Sequence, residues 1–247
     1  MYKYEDLKNK TAIVTGGARG IGFASAKLLA EHGATVIIAD VRYEAAEESS
    51  WKLLQEGLSA MAFELNVKDP VSVQQMVDFT IQNCGKIDIL LNNAGIADNT
   101  PMLDLTVEAW DNLIDINLRG AQLCTQACLK KMIGQGSGKI IFMGSRAGEM
   151  GSDKVAPSYC ASKGGILALA KSYAIYCAQY NINCNGIAPG FIETEMTKGR
   201  DDPRSVPIQR LGTPLDVAKT VYYLASDLSD YVTGAVIDVN GGLYIRS

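Results

Sequence analysis

Seven short, almost purely apolar runs recur along the chain: TAIVT (11–15), TVIIAD (35–40), AMAFELN (60–66), DILLNN (88–93), KIIFMG (139–144), INCNGIA (182–188) and AVIDVN (235–240). Helical patterns separate them, near 20–32, 43–56, 70–84, 106–134, 157–180 and 214–226. This alternation admits few folds. A helix between two strands is the crossover that parallel pairing requires, so the strands should run parallel with helices on both faces. The apolar strands agree, because a strand covered on both sides has no polar face to present. The expected fold is α/β, a single doubly wound domain spanning residues 1–247, a length that buries a substantial core. No linker, low-complexity tract or repeat interrupts it. The least regular stretch, 190–212, contains KGRDDPRSVP (198–207) and reads as a lid loop over a site.

Charge and cysteine usage narrow the partners. A net charge of −4 supplies no electrostatic attraction for nucleic acid or an anionic membrane. No apolar run approaches the length of a bilayer span, and MYKYEDLKNK lacks the apolar stretch of a secretion signal. A cytoplasmic protein is expected. Cys84, Cys124, Cys128, Cys160, Cys177 and Cys184 form no paired knuckles, and His32 is the sole histidine, so no metal site is expected. Reduced thiols packed as small hydrophobes are the simplest reading.

Chemistry enters with TGGARGIG (15–22), which follows the first strand and opens the first helix. Glycines at 16, 20 and 22 let the backbone turn sharply and approach a pyrophosphate. The helix start adds free N–H groups and positive potential for the anion. Gly16, Arg19, Gly20, Ile21 and Gly22 are therefore candidate cofactor contacts. Asp40 closes the second strand, where a carboxylate accepts from both ribose hydroxyls of an adenosine and repels a 2′-phosphate. That favours NAD over NADP, although Arg19 and Arg42 are each placed to pair with a 2′-phosphate.

Further along, NNAG (92–95), Ser145, the Tyr159/Lys163 pair in SYCASKGG (158–165) and Pro189-Gly190 follow in order. With these the sequence resembles the classical short-chain dehydrogenases/reductases over essentially its whole length. The resemblance implies a Rossmann domain with a seven-stranded parallel sheet, a nicotinamide cofactor and a homotetramer. It matches Asn117, Ser145, Tyr159 and Lys163 to the family's catalytic tetrad. It also assigns Asn93, Ala94 and Gly95 to the cofactor ribose, and Pro189, Gly190, Ile192 and Thr194 to the nicotinamide carboxamide. Asn66-Val67 stands where the family has Asp-Val beside the adenine; an Asn oxygen still accepts a bond from the adenine amino group.

The chemistry is consistent with this. Hydride transfer at a carbinol carbon must be matched by proton transfer at its oxygen. A tyrosine with a reference pKa of about 10 is a poor base near neutrality. Tyr159 and Lys163 share a helix face. An ammonium one turn away, with the charge of oxidised nicotinamide, is expected to lower the Tyr159 pKa. Ser145 is expected to bond the substrate oxygen, and Lys163 the ribose. By resemblance alone, Asn117 holds a water linking Lys163 to solvent. Cys160 has no histidine to activate it and is read as a bystander.

The expected reaction is interconversion of a secondary alcohol and a ketone on a small molecule. PGFIETEMT (189–197) and RLGTPLDVA (210–218) look like the ketoacyl-carrier-protein reductases. That group commonly uses NADPH and presents basic residues to its carrier, whereas Tyr180-Asn181 stands where a basic residue and glycine often sit. The GSDKVAPS insert (151–158) looks closer to polyol-type members. The preferred expectation is therefore an NAD-dependent enzyme acting on a small polyol, sugar or hydroxysteroid. A ketoacyl reductase and a non-catalytic NAD-binding regulator are the alternatives.

Overall fold

A computed structural model describes residues 6–195, 197, 199 and 201–245. Met196, Lys198 and Arg200 of the expected lid lie outside the described residues. Seven parallel strands form one sheet in the order β3-β2-β1-β4-β5-β6-β7. They are β1 (Thr11–Thr15), β2 (Thr35–Asp40), β3 (Ala60–Glu64), β4 (Ile89–Asn92), β5 (Gly138–Met143), β6 (Ile182–Pro189) and β7 (Val236–Val239). The helices between them are α1 (Gly20–Glu31), α2 (Tyr43–Gln55), α3 (Pro70–Cys84), α4 (Val107–Ile114), α5 (Gly120–Gln135), α6 (Arg146–Met150), α7 (Pro157–Cys177) and α8 (Pro214–Ala225).

Alternation along each strand sorts the core into two layers, because successive side chains point to opposite faces. Val14, Val36, Ile38, Leu91 and Ile141 meet Ala26 and Leu29 of α1 and Val217 and Val221 of α8. On the other face, Ile13, Ile37, Leu90, Ile140 and Phe142 meet Met76 of α3, Cys124 and Cys128 of α5, and Ile166 and Ala170 of α7. All six cysteines are free thiols; burial pushes Cys124 up to about 12, so it behaves as a small apolar group.

Two departures from the sequence reading bear on the site. The continuous helix expected over 106–134 is interrupted by a π-helical turn, Asp115–Arg119, which carries Asn117. Such turns are frequent at functional sites. The short helix α6 was not foreseen; Ser145 caps it by accepting from Ala147 N–H at 3.1 Å. Strand order reverses between β1 and β4, so their crossovers leave on opposite faces and open a crevice at the carboxyl ends.

Phe142 is fully buried and stacks on Tyr173 at 6.0 Å between centroids. Phe142→Ala is expected to destabilise the chain by about 3–5 kcal/mol, read as a lower midpoint in urea unfolding. A loss below about 1 kcal/mol would mean that this layer repacks freely.

Candidate active site

The crevice is stapled open by polar side chains at the β1/β4 junction. Asn93 Nδ2 donates to the Thr15 and Gly16 carbonyls at 3.1 and 2.9 Å. Thr15 Oγ1 accepts from the Asn93 and Ala94 N–H groups, both at 3.0 Å. The glycine loop is packed against this staple. A Cβ on Gly22 would lie 2.1 Å from the Gly16 carbonyl oxygen. Gly16 itself has φ +62°, and a Cβ there would lie 2.8 Å from Ala94 Cα. Arg19 precedes α1 in an extended conformation with no side-chain cap, which leaves the first N–H groups of α1 for an anion.

Asp40 ends β2 at the same crevice, almost buried. Its carboxylate accepts from Ala18 N–H and Arg42 N–H, each at 3.2 Å. Arg42 Nε stands 3.8 Å from it, and Arg19 pairs at 3.8 Å with Glu195. Both arginines flanking the adenosine end therefore already face carboxylates. Asn66 Oδ1 accepts from Lys68 N–H at 3.1 Å in a local turn, which uses one of its two lone pairs.

Gly16, Arg19, Gly20, Ile21, Gly22, Asp40, Asn66, Val67, Asn93, Ala94, Gly95, Ser145, Tyr159, Lys163, Pro189, Gly190, Ile192 and Thr194 all line this crevice of about 980 Å³. A nicotinamide dinucleotide fits it. The cradle has no room for a Cβ at Gly16 or Gly22, a helix start faces it at one end, and the Asp40 carboxylate stands at the end of β2. Bound there, the nicotinamide ring is the donor or acceptor of hydride.

At the other end, Pro157 in the first turn of α7 starts the helix that carries Tyr159 and Lys163. Lys163 is buried, and its Nζ donates to the Met143 carbonyl at 2.8 Å. Burial lowers its pKa to about 8. Tyr159 departs from the sequence expectation: burial raises its pKa, partly offset by a hydrogen bond with Ser145. The Lys163 ammonium lies 5.9 Å from the Tyr159 ring centroid and bonds a backbone carbonyl.

Asn117 does not line the crevice; it is fully buried behind it. Its Oδ1 accepts from Ile96 N–H at 2.8 Å, and its Nδ2 donates to the Ile96 carbonyl at 2.9 Å and to Ser162 Oγ at 3.1 Å. Ser162 Oγ in turn donates to the Tyr159 carbonyl at 2.8 Å. Sequence reasoning missed Ser162 and Met143, which carry no motif signal. It also missed a second cavity of about 440 Å³, lined by Ser145 and Tyr159 together with Arg146, Lys154 and Phe191. The two cavities share Ser145, Tyr159, Pro189, Gly190, Ile192 and Thr197, so the two compartments meet at the serine and tyrosine. The loop beyond is anchored at its base, where Glu193 N–H donates to the Gly212 carbonyl at 2.8 Å and Gly212 N–H to the Phe191 carbonyl at 2.9 Å.

Known proteins share this fold. The family described as enoyl-(acyl carrier protein) reductase matches residues 16–244. The chain belongs to the classical short-chain dehydrogenase/reductase family. A relative in Thermotoga maritima, named 3-oxoacyl-(acyl-carrier-protein) reductase FabG, is 40% identical over 97% of this chain and 99% of its own. One of the same name in Chlamydia muridarum is 40% identical over 96% and 98%. The crystal structure of gox2181 superposes with a TM-score of 0.93 at 35% identity, covering 98% of this chain and 99% of that one. A putative gluconate dehydrogenase from Agrobacterium tumefaciens gives 0.93 at 32%, covering 98% of each. As a short-chain dehydrogenase/reductase, the protein is a nicotinamide-dependent oxidoreductase acting on CH–OH or keto groups. Among its described residues, no helix is long and apolar enough to cross a membrane.

A buried lysine near pKa 8 binds fewer protons in the folded than in the unfolded chain between pH 8 and 10.5. Its burden on stability is therefore full below pH 8 and relieved as pH rises through that window. Lys163→Met should stabilise the cofactor-free chain by up to about 3 kcal/mol at pH 7, with the advantage shrinking toward pH 10. Denaturation midpoints of both proteins across pH test this, and a pH-independent difference would contradict it.

Proposed function

We propose that this chain is an NAD(H)-dependent reductase of the 3-oxo group of acyl thioesters, reversible toward the secondary alcohol. The observation that carries this is the convergence of Ser145 and Tyr159 where the two cavities meet, with Lys163 lining the larger one. The names of relatives 40% identical over nearly the whole chain support the thioester class. They weigh against the polyol, sugar or hydroxysteroid substrate suggested by the GSDKVAPS insert. NAD is favoured over NADP by Asp40 and by the engagement of Arg19 and Arg42 with carboxylates.

In this reading Ser145, itself bonded to Tyr159 and to Ala147 N–H, donates to the substrate oxygen and orients the carbonyl. Tyr159 gives its phenolic proton to that oxygen as the carbon is reduced, and takes it back in the reverse direction. Burial keeps the phenol protonated, which suits a proton donor. Lys163 holds the nicotinamide ribose. Asn117 fixes the Gly95–Ile96 backbone and, through Ser162, the first turn of α7. Residues 190–212 act as the lid of a single domain. Exposed Ile175 and Tyr176 of α7 and Val107 and Trp110 of α4 support assembly as a homotetramer.

Acetoacetyl-N-acetylcysteamine thioester should be reduced with loss of NADH absorbance. Turnover of polyols with no thioester reduced would replace this substrate assignment. Tyr159→Phe should cut turnover at least about 100-fold while NADH still binds by fluorescence titration; near-full turnover would remove Tyr159 from the chemistry. Asp40→Ala should lower the kcat/KM preference for NADH over NADPH about tenfold or more, through loss of charge-assisted bonds. An unchanged preference would reassign Asp40.

A further inference from the structure

The substrate cavity carries a feature that reduction of a neutral ketone does not require. Phe191, which follows the Pro189-Gly190 turn, has two cations on its ring. Arg146 Cζ lies 4.9 Å and Lys154 Nζ 5.6 Å from the Phe191 centroid. All three residues line the cavity with Ser145 and Tyr159. Arg146 adjoins the carbonyl-orienting Ser145 in sequence, whereas Lys154 arrives from the loop between α6 and α7. Neither cation forms an ion pair within the described residues. The Arg146 side chain gives one bond, from Nη1 to Met150 Sδ at 3.1 Å, which is a weak acceptor. Asp201, a carboxylate on the same cavity wall, has an interaction of its own.

Two like charges sharing one ring repel each other, and an anion between them removes that repulsion. A guanidinium stacked on an aromatic face keeps its edge donors free, in the fork geometry that matches an oxyanion. We infer that Arg146 and Lys154, backed by Phe191, form an oxyanion subsite in the substrate cavity that selects substrates carrying a negatively charged group. This deepens the proposed reductase reading and rests on it. The oxyanion has two possible sources, a carboxylate on a small oxo acid or the phosphate of a thioester's pantetheine arm.

The test measures kcat/KM for two matched pairs. The first is 4-oxopentanoate against its methyl ester. The second is acetoacetyl-4′-phosphopantetheine against the phosphate-free acetoacetyl-N-acetylcysteamine thioester. The charged member of at least one pair should be preferred about tenfold or more, the scale of a charge-assisted hydrogen bond. Arg146→Met and Lys154→Met should each reduce that ratio about tenfold, and added salt should reduce it further. The pair that responds identifies the oxyanion. A preference in neither pair, or one that both variants leave intact, overturns the subsite. Turnover of the uncharged thioester with no charge preference would do so while leaving the reductase reading standing. Turnover of 4-oxopentanoate with a variant-sensitive preference, and of no thioester, would uphold the subsite and remove the thioester assignment.

Discussion

The Asn93 carboxamide, donating to the Thr15 and Gly16 carbonyls, joins the ends of two neighbouring strands whose chains then depart in different directions. Much of the site depends on that junction. It presses the glycine turn so closely that Gly22 has no space for a Cβ, and the turn aims the start of α1 into the crevice. The strand-order reversal supplies the opening, and the staple keeps its backbone walls at a fixed separation.

At the far end of the crevice, polar groups are buried where apolar ones would be more stable. Lys163, Asn117, Ser158 and Ser162 all sit inside the protein near the base of α7. The network around Asn117 is largely satisfied, and it replaces regular helix geometry with a π turn. Lys163 is a different case: one carbonyl bond accompanies a pKa near 8, so the fold carries a charge it only partly compensates. The contrast with Cys124 and Cys128 is instructive. Those thiols are equally buried on the same sheet face but remain apolar and neutral, and they serve packing alone.

The element pattern was legible because strand and helix periodicities are local. The sequence reading places all seven strands and the principal helices within a few residues of their positions in the fold. The glycine loop and Asp40 were legible from their places after a strand and at a strand end, whereas Tyr159 and Lys163 were legible only through the ordered set of motifs that the resemblance matched. The interruption of 106–134 was not, because the partner of Asn117 in that turn is Ile96, from a segment remote in the chain. The raised Tyr159 pKa was equally hidden. Adjacency on a helix face suggests an ammonium beside a phenol, whereas the ammonium turns to Met143 at the end of β5.

Sequence alone therefore determined the alternating architecture, the glycine turn after β1 and which side chains were candidates for the site. Tertiary structure decided what surrounds them. It set the protonation balance through burial, recruited Met143 and Ser162 as partners, and brought Phe191, Arg146 and Lys154 together from separate segments. Such features depend on distances between segments remote in the chain, and those distances exist only once both faces of the sheet are packed.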